Sequence, residues 1–154
     1  MSRAFVKESD EDLVAPPERV ISPHPNFVTP TGMRQIEAQV QTLEEERSAA
    51  RAADDRSRLA TVERDLRYWA QRRASARVIE LARSPDTVRF GVQAKLRFED
   101  GSERSFRLVG EDEADPARGL ISWASPIGES LTGCEVGQEI QVFGRRAEIV
   151  ALEG

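Results

Sequence analysis

One cysteine and one histidine among 154 residues leave little room for thiol or metal chemistry. With Cys134 alone, no intrachain disulfide can form, and neither a zinc ligand set nor a CxxC redox pair can be assembled. Beside Gly133 it reads as a small buried filler. His24 lies between Pro23 and Pro25 with nothing nearby in sequence to orient it, so no catalytic role is expected of it. Aromatic residues make up only 6% of the chain. No run of about 18 apolar residues exists, so no membrane span is expected. The opening Met1-Ser2-Arg3-Ala4-Phe5-Val6-Lys7 leads straight into acidic residues and offers no signal-peptide core. The expected setting is a reducing cytoplasm.

A concentrated basic surface is also missing. Residues 1–30 carry 3 basic and 5 acidic side chains, residues 31–77 carry 10 and 8, and residues 78–154 carry 9 and 14. Independent duplex binding needs a surface that neutralises phosphates. Stand-alone DNA binding is therefore disfavoured, although the arginine-rich middle segment suits nucleic acid held in place by another protein.

What is present is periodicity. Residues 1–28 read as a flexible tail, because Pro16, Pro17, Pro23 and Pro25 exclude a regular helix and Glu8-Ser9-Asp10-Glu11-Asp12 is a solvated acidic cluster. A helix is expected to start after Thr29-Pro30-Thr31-Gly32, with Thr29 or Thr31 as its cap. Met33, Ile36, Val40 and Leu43 then recur at spacings of three and four. A second series runs through Leu59, Val62, Leu66, Trp69 and Ala76, with Arg73 in the slot between the last two. Two matching seams joined by the short polar stretch 51–57 predict an antiparallel helical hairpin over 29–77. Folding about residue 53 sets Val40 opposite Leu66 and Leu43 opposite Val62. One continuous helix in an intermolecular coiled coil is the alternative, since no Gly or Pro marks the turn.

After Ser84-Pro85-Asp86 the period becomes two. Phe90, Val92, Ala94, Leu96 and Phe98 alternate with Gly91, Gln93, Lys95 and Arg97, the pattern of a half-buried strand. Glu99-Asp100-Gly101-Ser102 supplies a turn. Strands follow around Phe106 to Val109 and Gly119 to Trp123, and two more near 138–143 and 147–152. Between them Ser125 caps a short helix with Pro126 in its first turn and Gly133 past its end. The fold class is α+β: an N-terminal hairpin, then over 78–154 an antiparallel sheet with one short helix.

Arg107-Leu108-Val109-Gly110-Glu111-Asp112-Glu113-Ala114-Asp115, then Leu120-Ile121-Ser122, Ser125-Pro126-Ile127, Leu131, Gly133, Val136 and Gly137, resemble the signature of the Gre family of transcript cleavage factors. Ser2-Arg3-Ala4-Phe5-Val6-Lys7-Glu8 and Val28-Thr29-Pro30-Thr31-Gly32 are also similar. The resemblance implies a coiled-coil hairpin and an FKBP-like sheet domain in a bacterial, monomeric protein. It further implies docking of the sheet domain, through Ser125, Pro126 and Ile127, on the secondary-channel rim of RNA polymerase core. The hairpin tip would then approach transcript RNA, with Arg56 and Arg58 as contacts. Asp54 and Asp55 would be the tip carboxylates, sharing Mg²⁺ with the polymerase, since Mg²⁺ prefers hard oxygen ligands. The chain would hold no cofactor of its own and would be no enzyme, at most stimulating the polymerase's own RNA cleavage.

Two departures qualify this expectation. The hairpin is shorter than in cleavage-active members. Where the family tip reads Asp-x-x-Glu-Asn, Asp55 matches the aspartate, but Arg58 and Leu59 replace the glutamate and asparagine. The expected role is thus a regulator of elongation similar to short-hairpin Rnk-type relatives. The alternatives are an active cleavage factor and, from fold analogy alone, a peptidyl-prolyl isomerase.

Overall fold

The computed structural model describes residues 15–154. The acidic cluster 8–12 and the motif 2–8 lie outside the described residues. In chain order the elements are β1 (Phe27–Val28), α1 (Pro30–Ala52), α2 (Arg56–Ser75), β2 (Arg77–Val78), β3 (Gln93–Phe98), β4 (Glu103–Val109), a 3-10 turn at Pro116–Arg118, β5 (Leu120–Ser122), α3 (Pro126–Leu131), β6 (Glu139–Val142) and β7 (Arg145–Glu153). The chain divides into two compact units, one of residues 15–22 with Ala38–Gln71, the other of Pro23–Glu37 with Arg72–Gly154.

In the first unit α1 and α2 fold back on each other. Val40, Leu43, Val62 and Leu66 are buried in one cluster, with Trp69 packed against it. These are the residues that the two seams place opposite one another about residue 53. An ion pair from Arg51 on α1 to Glu63 on α2, 3.0 Å, ties the two helices. A single unbroken helix is excluded. Residues 15–22 form no helix, in keeping with their prolines, but they are attached to α2. Glu18 accepts a forked pair of hydrogen bonds from the Arg67 guanidinium. Arg19 stacks 3.8 Å over the Tyr68 ring and lies 3.8 Å from Asp65.

The seam departs from its sequence pattern at one place. Heptad spacing puts Arg73 inward, yet Arg73 is exposed and Arg72 is 2% exposed. A straight helix turns every 3.6 residues, so a strict 3.5 repeat drifts, and three steps after Trp69 is the inward position.

In the second unit a five-stranded sheet has the order β5-β4-β3-β7-β6. Its core is Val88, Ala94, Leu96, Phe98, Phe106, Leu108, Ile121, Leu131, Val142, Ala147 and Ile149. Ala94, Leu96 and Phe98 point inward in alternation, as the period of two requires. The strand starts later than its pattern, at Gln93, because Gly91 adopts φ 84° and turns the chain after Phe90. The sheet is antiparallel except at one pair: β5 lies parallel to β4, Arg107 opposite Leu120. The loop 110–119 doubles back to the level of Arg107 before β5 starts, so β5 runs beside the last residues of β4 in the same direction. β1 and β2 form a separate parallel pair, with Phe27 opposite Arg77 and Val28 opposite Val78.

Candidate functional site

The hairpin turn consists of three residues, Ala53, Asp54 and Asp55. Asp54 sits at φ 50°, in the left-handed region that short polar side chains tolerate. Its N–H donates to Arg51 O at 3.1 Å, and the Asp55 N–H donates to Ala50 O at 3.0 Å. This pair of bonds is the Schellman closure of a helix C-terminus. Asp55 at once begins the next helix: its carbonyl accepts from Leu59 N at 2.9 Å and its Oδ1 from Arg58 N at 3.1 Å. That is an N-cap with a charge favourable to the helix dipole. The turn therefore needs neither Gly nor Pro. Asp54, Asp55, Arg56 and Arg58 are all exposed. Residues 54–58, spanning the turn and the start of α2, thus carry two carboxylates and two guanidinium groups.

Metal coordination is only partly provided for at this tip. Among the described residues no group of three or more His, Cys, Asp or Glu side chains is arranged to hold a metal. One oxygen of Asp55 already serves as the helix cap, and Arg58 stands on the next turn with its positive charge.

In the second unit Ser125 caps α3. Its Oγ accepts from Gly128 N at 3.1 Å and donates to Ser122 O at 2.7 Å. Pro126 follows at the first helical position and is exposed, whereas Ile127 packs half-buried against the core. Of the three residues expected at a docking loop, Pro126 is the one whose surface is presented, and the other two fix its backbone. Trp123 and Phe27 lie with ring centroids 5.1 Å apart, and His24 meets the Trp123 edge at 5.9 Å. Cys134 is half-buried, and burial raises its thiol pKa.

A third cluster joins Thr29, Glu111, Asp112 and Glu113, present in the family motifs but with no role assigned to the acids, to Asn26 and Arg72. Arg72, Asn26 and Thr29 are the buried polar residues among those described, at 2%, 5% and 3% exposure. Arg72 Nε donates to Asp112 Oδ2 at 2.5 Å, and its Nη2 donates to Asn26 Oδ1 at 2.8 Å. The Glu111 carboxylate lies 3.6 Å from the same guanidinium. Asn26 Nδ2 donates in turn to the Arg72 carbonyl at 2.7 Å and to Ser75 Oγ at 3.1 Å. Thr29 Oγ1 caps α1, accepting from Gly32 N at 2.9 Å, and donates to Glu113 Oε2 at 2.6 Å. The signal for Thr29 was present as a candidate cap. The signal for Arg72 was hidden by the heptad extrapolation to Arg73.

These features define a class: an α+β protein in which a capped two-helix hairpin accompanies a mostly antiparallel sheet domain. The family model described as "Transcription elongation factor, GreA/GreB, C-term" matches residues 83–152. A transcription elongation factor GreA of Nitratidesulfovibrio vulgaris is 34% identical over 137 residues, covering 77% of this chain and 84% of its own length. A transcription elongation factor GreB of Neisseria meningitidis is 30% identical over 135 residues, covering 75% and 83%. Among solved structures, GreA factor homolog 1 (Gfh1) of Thermus thermophilus is 20% identical, with 85% of this chain and 100% of that one covered and a TM-score of 0.42. The chain belongs to the GreA/GreB family of transcription elongation factors. No helix among the described residues is long and apolar enough to cross a membrane.

Proposed function

We propose that this chain binds RNA polymerase core through its sheet domain, with Pro126 on the Ser125-capped turn at the contact, at the rim of the secondary channel. From there the short hairpin presents Asp54, Asp55, Arg56 and Arg58 to the transcript and regulates elongation as a monomer in the cytoplasm. The protein is itself no enzyme on this reading. The observation that carries it is the 34% identity to a GreA factor along 84% of that factor's length. The tip chemistry supports regulation over strong cleavage. Asp55 is committed to capping α2, and Arg58 supplies a positive charge where the metal-directing glutamate of the Gre pattern would stand.

The reading is tested by mixing purified protein with bacterial RNA polymerase core. Co-elution and displacement of a GreA factor are expected, and both should weaken in Pro126→Glu, which changes an exposed side chain. Failure of the unmodified protein to co-elute or compete would overturn the proposal.

The pair of adjacent exposed carboxylates favours one second reading, stimulation of transcript cleavage with a Mg²⁺ largely held by the polymerase. Added to a backtracked complex, the protein would then release short 3′ fragments. No release above the polymerase's background removes it. Proline isomerisation is not favoured, because Phe98 and Phe106, which a ring-lined pocket would need, are spent in the sheet core.

A further inference from the structure

We infer that the loop Gly110–Asp115 is a two-point clamp that sets the ends of both hairpin helices, and that Asp112 and Glu113 are positioning residues for whatever the hairpin does. The inference rests on the proposed function for its activity readout, but its geometry stands apart from it.

Adjacent acids of one loop reach different helices. Asp112 holds the Arg72 guanidinium near the end of α2 at 2.5 Å, and Glu113 holds the Thr29 hydroxyl at the start of α1 at 2.6 Å. Each contact acts where a helix has unsatisfied backbone groups. Through Asn26 the arginine contact reaches the α2 carbonyl of Arg72, one of the last in the helix. Through Thr29 the glutamate contact reaches the Gly32 N–H, one of the first in α1. A carboxylate near a helix N-terminus is also favoured by the helix dipole.

The loop comes close enough to do this only because of two glycines. A Cβ on Gly110 would stand 2.4 Å from the Phe27 carbonyl oxygen, and one on Gly32 would stand 2.7 Å from Glu113 Oε2. The first would push the loop off backbone. The second would push a flexible carboxylate off its hydroxyl partner, and leave the rest of the fold intact.

A buried guanidinium and a buried hydroxyl tied to one loop make a joint that resists rotation, since moving either helix end strands a buried polar group. Hydrophobic contact alone has no such directional requirement. This is the arrangement expected where the setting of a helix pair has to be fixed, and it explains why neighbouring positions 112 and 113 are both acidic.

The experiment uses the full chain with RNA polymerase core and separates binding from effect. Glu113→Ala and Gly32→Ala are the working variants, since Asp112→Ala leaves a buried cation and risks the fold. Each is titrated into elongation complexes, and the half-saturating concentration and the maximal effect on the transcript are read separately. Amide exchange is followed at Gly32 and along the last turn of α2. The clamp predicts an unchanged half-saturating concentration, a maximal effect reduced about tenfold because small misplacements are costly, and faster exchange at Gly32. Glu113→Gln, which keeps an acceptor for the Thr29 hydroxyl, should restore most of the effect. A full maximal effect with unchanged exchange in Glu113→Ala overturns the inference. So does an equal loss of binding and effect that Glu113→Gln fails to rescue. Should the unmodified protein not bind polymerase, the functional reading fails by itself. Exchange at Gly32 in Glu113→Ala then decides the clamp: acceleration supports it, and none refutes it.

Discussion

The two ends of the helical hairpin solve the same problem by opposite means. At the closed end, α1 and α2 are joined by three exposed residues, and the backbone hydrogen bonds that close the turn and the Asp55 cap are local in sequence. At the open end, the helix termini are held by residues 40 to 84 positions away in sequence, through polar groups that are buried. A covalent link makes the closed end cheap to form, because few residues need to be ordered to close so short a loop. The open end has no such link and relies on directional contacts that are costly to leave unmade. The closed end should therefore tolerate substitution, and the open end should not.

The largest expected effect tests that contrast at Arg72. Arg72→Ala removes a buried cation and leaves Asp112 and Asn26 facing an apolar gap, a change expected to cost about 3–5 kcal/mol. Thermal or urea unfolding followed by circular dichroism measures it. The loss should be smaller when both close partners become apolar, as in Arg72→Met with Asp112→Leu, because the more buried carboxylate is then not stranded and the remaining one, Glu111, is partly exposed. A single-variant loss below about 1 kcal/mol, the range of an exposed ion pair, would make the open end no different from the closed one.

At the closed end the expected change is smaller and separates structure from chemistry. Asp55→Ala removes the N-cap of α2 and should cost about 1 kcal/mol. Asp55→Asn keeps a capping oxygen and should cost only a few tenths of that, asparagine being as good a cap as aspartate. The two variants therefore make a charge-specific test of the tip. If an effect on the transcript follows stability, lost in alanine and kept in asparagine, the carboxylate acts as a cap. If both variants lose it alike, the negative charge acts on the transcript or on its metal.

The contrast also explains what could be read from sequence. The hairpin, its seam residues Val40, Leu43, Val62 and Leu66, and the strand of Ala94, Leu96 and Phe98 were legible because apolar periodicity is a local signal. Ser125 was legible as a cap because the cap, proline and helix stand in consecutive positions. The turn was located, but its mechanism was not, since the left-handed Asp54 is visible only once Asp55 is known to begin α2. The clamp was illegible for a plainer reason. Asn26, Arg72 and Asp112 are polar, far apart in the chain and without a periodic pattern, and the burial that makes them matter is a property of the tertiary fold. The parallel β4–β5 pair was hidden likewise, because strand direction there is set by the path of the loop 110–119.

The smallest expected effect concerns residues 15–22, which lie against α2 and not at either end. Hydrogen bonding from Arg67 lowers the pKa of the Glu18 carboxyl, and Glu18 in turn raises that of the guanidinium. A carboxyl whose value is lowered by its partner favours the attached form above its ordinary range, about pH 4 for glutamate, and the preference disappears as pH falls through the lowered value. Attachment of residues 15–22 to α2 should accordingly be complete at neutral pH and loosen in acid. Both side chains are exposed, so salt should loosen it as well. The Trp69 indole and Tyr68 ring signals in NMR spectra report it locally, since Arg19 lies over both rings. In Glu18→Gln the acid-dependent shift should flatten while the cation–π contact of Arg19 persists. A shift that is as steep in Glu18→Gln as in the unmodified chain would assign the attachment to Arg19 and its Asp65 partner instead of the Glu18–Arg67 fork.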